Sequence, residues 1–170
     1  MEVGKNFIKC PGCGLFLPGK NLEAHRNYYA SGECFELYGE LAAYTLGKSD
    51  SEFIHQLAVD TYGAQHTGPE TKTISTSFAL VGLYLAVECS YSGRQVQQAH
   101  TLLAGKKKEW PRLEIPVNKG YLTVLNVLEA DSGLLREQML RKWAEVVWKA
   151  WEKHHSWIRK ITFELLGVKS

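Results

Sequence analysis

The sequence predicts an all-α protein, a helical bundle with an irregular N-terminal segment that carries a zinc knuckle. Apolar residues recur at helical spacing through most of the 170-residue chain. The first 32 residues lack that spacing and contain two cysteines in a Pro/Gly-rich turn, Cys-Pro-Gly-Cys-Gly at 10–14. We therefore expect one domain, residues 1–170, in which a leader of residues 1–32 packs on a bundle of residues 33–170.

Six helical stretches follow the leader, and most have a start or stop signal. Gly47 closes the first, Ser49 or Asp50 caps the second, and Ser92 caps the fourth. The leader holds the one segment that could form a strand, Val3 to Lys9. Lys106 to Gly120 reads as a loop with a solvated basic run. The predicted helices cover about 33–47, 50–66, 71–89, 93–103, 123–130 and 132–166.

Composition and charge narrow the class of protein. Hydrophobic residues make up 45% and charged residues 22%, which is ordinary for a soluble globular protein, and the net charge is only +2. This balance gives little reason to expect nucleic acid as a partner, although a knuckle beside Lys106–Lys108 could form a basic patch. No apolar run is long enough to span a bilayer, and no secretory leader is apparent. We expect a cytoplasmic protein that does not bind membranes, and self-association stays open.

The Cys-x2-Cys turn forms half of a tetrahedral zinc site, because two thiols in such a turn can face one ion. Two further ligands are needed. If the first two helices form an antiparallel hairpin, Cys34 at the start of the first and His66 at the end of the second lie at the same pole. His55 begins the second helix and lies roughly 16 Å from His66 along the helix axis.

The fourth ligand has two candidates. His66 would tie the leader to both helix ends. His25 would close a compact local site with the spacing Cys-x2-Cys-x11-His-x8-Cys. The predicted zinc ligands are therefore Cys10, Cys13 and Cys34, with His66 as the fourth and His25 as the alternative. Cys89, on an apolar helix, reads as a core thiol.

A second group of polar residues interrupts otherwise apolar helices. His55 and Asp60 lie on the second helix, and His154 lies in an apolar seam of the last helix, beside His155. Catalytic acid–base groups occur in such settings, so His55, Asp60 and His154 are candidate catalytic residues. Histidines that are hydrogen-bonded within a core would give the same pattern.

The order of motifs resembles an uncharacterised, mainly bacterial domain-of-unknown-function family. The matching motifs are Cys-Pro-Gly-Cys-Gly at 10–14, a His-Gln-Leu-Ala-Val-Asp-Thr-Tyr helix at 55–62 followed by Gln65-His66, and a tryptophan-rich helix at 143–151 followed by His154-His155. The resemblance implies no assigned activity. It also implies a histidine midway along the third helix, where this chain has Leu80 or a neighbour.

Two function classes follow from these features. A thiol-rich, closed ligand set favours a binding or interaction module with a structural zinc ion. The polar residues of the helices favour the alternative, a metal-assisted hydrolase or small-group transferase. Whether the chain is an enzyme stays open at this level.

Overall fold

The computed structural model describes residues 6–170. It is an all-α bundle with an irregular N-terminal segment, as the sequence predicts, and that segment begins with a short β-hairpin. Within those residues, no helix combines the length and apolar character needed to cross a membrane. The elements are β1 (Phe7–Lys9), β2 (Phe16–Pro18), α1 (Gly32–Gly47), α2 (His55–Gln65), α3 (Thr73–Val87), α4 (Gly93–Lys106), α5 (Val124–Glu129), α6 (Leu134–Ala150) and α7 (His155–Leu166), with a 3-10 turn at Glu152–His154.

The N-terminal hairpin is small and antiparallel. In its register, Phe7 faces Pro18, Ile8 faces Leu17 and Lys9 faces Phe16. Strand β1 falls within the predicted strand Val3 to Lys9, whose residues 3–5 lie outside the described part of the chain. Strand β2 was not expected from the sequence. The turn between the two strands carries Cys10 and Cys13.

Helices α1 and α2 form the antiparallel hairpin expected from the sequence. The start of α1 meets the end of α2 where Cys34 Sγ lies 3.5 Å from His66 Nε2. The opposite ends meet where Thr45 Oγ1 lies 2.8 Å from His55 Nδ1. The histidines at the two ends of α2 therefore sit at opposite poles of the hairpin.

The core of the bundle is formed chiefly by α2, α3 and α6. Leu80, Leu83 and Leu85 of α3 are fully buried. Trp143 of α6 is also fully buried, and its Nε1–H donates to Gln65 Oε1 of α2 at 3.1 Å. Burial of these side chains stabilises the bundle through removal of apolar surface from water.

Two predicted helix boundaries were wrong. Helix α2 begins at His55 rather than near residue 50, because Asp50 accepts a hydrogen bond from the Ile54 N–H and Phe53 takes a left-handed φ of 55°. The predicted last helix is two helices, α6 and α7. The chain leaves α-helical geometry at Trp151, which is fully buried, and forms a 3-10 turn.

Candidate metal centre

Three cysteines and one histidine meet at one pole of the helical hairpin. The ligand atoms of Cys10, Cys13, Cys34 and His66 all lie within 4.8 Å of one another. Cys10, Cys34 and His66 are fully buried, and Cys13 is half-buried. Such a group can hold a metal ion, and His25 is not part of it.

Two separations within this group are close to those of a tetrahedral site with thiolate and imidazole ligands. With Zn–S bonds of about 2.3 Å and a Zn–N bond of about 2.0 Å, tetrahedral geometry requires S···S edges of about 3.8 Å and S···N edges of about 3.5 Å. The Cys13 and Cys34 sulfurs are 3.9 Å apart, and Cys34 Sγ lies 3.5 Å from His66 Nε2. These two edges have the lengths that an ion of this size requires, and all four ligand atoms lie within 4.8 Å of one another.

Backbone geometry of the turn explains the glycines beside the two cysteines. Gly14 has a φ of +78°, in the left-handed region that glycine adopts without strain, and its N–H donates to the Cys10 carbonyl at 2.9 Å. At Gly12, a Cβ would come within 2.3 Å of the Tyr29 carbonyl and 2.6 Å of His66 Cδ2. Glycine at this position lets the turn lie directly against the histidine ring.

Cys34 is positioned by the start of α1. Ser31 caps this helix, with its Oγ accepting a hydrogen bond from the Cys34 N–H at 3.1 Å. The carboxylate of Glu33 accepts a bond from the Lys20 N–H at 2.9 Å, which attaches the leader to the same helix start. A helix N-terminus favours negative charge, so this location would favour the Cys34 thiolate that a bound cation requires.

His66 is held in the tautomer that a metal ligand needs. Its Nδ1–H donates to the Tyr62 carbonyl at 2.8 Å, which leaves the Nε2 lone pair facing the sulfurs. The Tyr62 ring stacks on the imidazole with a centroid distance of 3.8 Å, and its hydroxyl donates to Cys34 Sγ at 3.5 Å. Tyr62 thus contacts two of the four ligands and fixes their orientation.

Crowding shifts the pKa values of the sulfurs in opposite directions when no cation is among them, because hydrogen bonds with Cys13 and Cys34 lower the pKa of Cys10 while Cys13 and Cys34 retain protons. The side-chain hydrogen bond with Cys10 raises the pKa of Cys13 to about 12. Hydrogen bonds with Cys10 and Cys13, together with burial, raise the pKa of Cys34 above its ordinary value. A divalent cation would displace these protons and remove the repulsion between thiolates.

A buried lysine lies close to the group. Lys119 is 7% exposed, and its Nζ donates to the Thr67 carbonyl at 2.9 Å. Burial lowers the pKa of Lys119, whereas the charges of Cys10 and Cys13 raise it. A divalent cation with three thiolates and a neutral imidazole would carry a net charge of −1, which this ammonium group would offset. Nothing in the sequence around Lys119 indicated that role.

The other predicted site residues have partners elsewhere. His25 stacks on Phe35 at 4.3 Å and accepts a hydrogen bond from the Asn27 N–H at its Nδ1. Cys89 is half-buried at the end of α3, away from the four-ligand group, which accords with its interpretation as a core thiol.

The structure does not bring the candidate catalytic residues together. His55 is hydrogen-bonded to Thr45, and Asp60 Oδ1 accepts from Gln56 Nε2 at 3.1 Å. His154 Nε2 donates to the Glu114 carbonyl at 2.8 Å, at the half-buried surface near α7. The break at Trp151 moves His154 out of the apolar seam in which an uninterrupted helix would have placed it.

Comparison with family models identifies a match over residues 8–152 to a family of unknown function (DUF5946). The chain belongs to this family. The matched span contains all four residues of the metal-ligand group and ends before α7. Comparisons with curated proteins and with solved structures found no significant match.

Proposed function

We propose that Cys10, Cys13, Cys34 and His66 bind one structural zinc ion, and that the chain works as a cytosolic binding or interaction module rather than as an enzyme. The observation that carries this proposal is the closure of the ligand group. Four protein ligand atoms lie within 4.8 Å of one another, and three of the four residues are fully buried. A tetrahedral ion with four protein ligands has no position left for a reactive water.

The chemistry of the ligands supports zinc over other divalent ions. Thiolate and imidazole donors favour zinc, whereas magnesium and calcium prefer oxygen ligands. Three cysteine sulfurs held side by side also need a reducing compartment to persist as thiols, which supports a cytosolic location.

The ligands come from three separate parts of the chain. Cys10 and Cys13 come from the turn of the β-hairpin, Cys34 from the start of α1, and His66 from the end of α2. One ion would therefore fix the turn of the leader to the start of α1 and the end of α2, which meet at one pole of the helical hairpin.

Substitution of one ligand tests this function, with a cysteine outside the group as the matched control. Cys13→Ser should lower zinc content well below one ion per chain and destabilise the leader, whereas Cys89→Ser should keep full zinc. Metal analysis by mass spectrometry and urea unfolding of both purified variants provide the measurements.

Two results would contradict the proposal. If Cys13→Ser binds as much zinc as the wild type, Cys13 is not a zinc ligand. Full stability in Cys13→Ser, together with loss of a measurable turnover, would make the metal catalytic rather than structural.

A further inference from the structure

A groove of about 400 Å³ lies between α2, α3 and α4, beside the leader. This volume is within the range of small-molecule sites. It is separate from the metal-ligand group, because none of the four ligands lines it. Asp60 of α2 lines its wall, although only 4% of this residue is exposed.

The carboxylate of Asp60 has little compensation for its burial. Within residues 6–170, its one hydrogen bond comes from Gln56 Nε2, and no cation pairs with it. Buried carboxylates normally have an ion-pair partner or several hydrogen bonds. Asp60 therefore retains acceptor capacity that no described side chain uses.

The chain gives up helix stability to make room for this group. A Cβ on Gly82, in the middle of α3, would lie 2.0 Å from Asp60 Oδ2. Glycine inside a helix costs about 1 kcal/mol relative to alanine. A buried carboxylate and a glycine inside a helix both lower the stability of the fold. Residues that lower stability in this way are typical of ligand sites.

The other groove residues define what would fit beside Asp60. Tyr28 and Phe78 provide aromatic surface, which attracts organic cations. His100 donates from Nε2 to the Phe78 carbonyl at 2.8 Å, which leaves Nδ1 as a second acceptor in the neutral ring. Lys72, exposed at the rim, supplies a positive charge.

We propose that this groove binds a small amino carboxylate, with its ammonium group on Asp60 and its carboxylate directed to Lys72. The ammonium group would take the place of the proton that burial keeps on the Asp60 carboxyl, and that proton would leave to solvent when the ligand binds. The proposal names the ligand of the binding module and rests on that part of the proposed function. The metal centre does not enter it.

Three probes of equal chain length test the two ends of the ligand separately. 4-Aminobutyrate carries both charges, n-butylammonium only the positive one and butyrate only the negative one. Amide NMR titrations of the zinc-loaded protein should give saturable shifts around Gln56, Ser75 and His100. We expect 4-aminobutyrate to bind most tightly, n-butylammonium more weakly and butyrate without saturation.

Four variants assign the contacts. Asp60→Asn should weaken both amines at least tenfold, and Lys72→Gln should reduce 4-aminobutyrate to the affinity of n-butylammonium. Ser75→Trp, at an exposed position that lines the groove, should block all binding without changing the core. Asp131→Asn, which removes an exposed carboxylate outside the groove, is the matched control and should bind as wild type.

Several results would overturn the proposal. In the wild type, these are the absence of a saturable shift with either amine, equal affinities for the two amines, or binding of butyrate as tight as that of the amines. In the variants, an unchanged affinity of Asp60→Asn or Ser75→Trp would also overturn it. Zinc content is measured on the same samples. If amine binding is absent while zinc content is unchanged, the proposed ligand is wrong and the proposed zinc site is unaffected. The zinc site is tested separately, by substitution of its cysteine ligands.

Discussion

The leader and the third helix of this protein are held in place by different forces. In α3, Leu80, Leu83 and Leu85 are fully buried among neighbouring helices. In the β-hairpin of the leader, Phe7 is 54% exposed and Phe16 is 60% exposed. The leader contacts the bundle through backbone hydrogen bonds, through packing of Tyr28 on aromatic side chains of α1 and α2, and through the residues of the metal-ligand group.

This difference predicts that substitutions in the core and substitutions at the metal ligands should have distinguishable effects on stability. Ordering a residue costs roughly 1–2 kcal/mol, which burial offsets in α3 but not in the exposed hairpin. A metal bond to the leader can supply that free energy. Substitutions in the core should lower the stability of the whole bundle, whereas substitutions at the ligands should act first on metal binding and the leader.

The largest loss of stability is expected from a substitution in the core. Trp143→Ala should lower the free energy of unfolding by about 3–5 kcal/mol, because it leaves a cavity and removes the hydrogen bond to Gln65. Urea unfolding of the zinc-loaded protein measures it. Leu134→Ala, at a 70% exposed position, is the control and should change stability by less than about 0.5 kcal/mol. A loss below about 1 kcal/mol in Trp143→Ala would contradict the central role of this core.

The next effect concerns the fourth ligand. His66→Ala should weaken zinc binding more than about a hundredfold, since it removes a residue that contacts the ion directly rather than one that only supports a ligand. His55→Ala and His25→Ala should leave the zinc affinity unchanged, because neither residue belongs to the four-ligand group. Competition with a chromogenic chelator gives the affinities. Full zinc occupancy in His66→Ala with loss in His25→Ala would favour the local site instead.

A smaller effect is expected from the tyrosine that contacts two ligands. Tyr62→Phe removes the hydroxyl that donates to Cys34 Sγ but keeps the ring stacked on His66. We expect zinc affinity to fall about tenfold, at the lower end for an outer-shell partner. The same chelator competition measures it, and Tyr121→Phe, at a 74% exposed position, is the matched control. An unchanged affinity would show that the hydroxyl does not tune the site.

The smallest effect is a change in the pH dependence of stability. Burial raises the pKa of Asp60 well above its usual range. A carboxyl whose pKa is raised by folding stabilises the protein below its unfolded pKa of about 3.9, and this stabilisation is lost as pH rises through the folded pKa.

Asp60→Asn should therefore become progressively more stable than the wild type as pH rises from about 4 towards neutrality. Unfolding curves in urea across this range provide the comparison, with Asp131→Asn as a control that should follow the wild type. Identical pH profiles for wild type and Asp60→Asn would show that Asp60 does not carry a proton in the fold.

Local signals in the sequence predicted most of the helices. Ser92 and Thr123 cap α4 and α5 with their side chains, and such caps are recognisable from residue type and spacing. The antiparallel arrangement of α1 and α2 also followed from the sequence, and it brought Cys34 and His66 to one pole. This part of the site could be predicted because it depends on chain order and helix length.

Features that depend on packing between distant elements could not be predicted. The break at Trp151 has no proline or glycine to announce it, and it coincides with full burial of that side chain. The approach of Gly82 to Asp60 depends on how α2 packs on α3. Lys119 reaches the metal-ligand region from a loop more than fifty residues after His66 in the chain.

Hydrogen–deuterium exchange before and after chelation tests most directly whether the metal holds the leader on the bundle. We expect chelation to remove the protection of leader amides first, including the Cys10 N–H that donates to the Leu15 carbonyl at 2.8 Å. Amides of α3 should keep their protection, because burial rather than metal holds that helix. Simultaneous loss of protection in the leader and α3, or no change in the leader, would contradict the account.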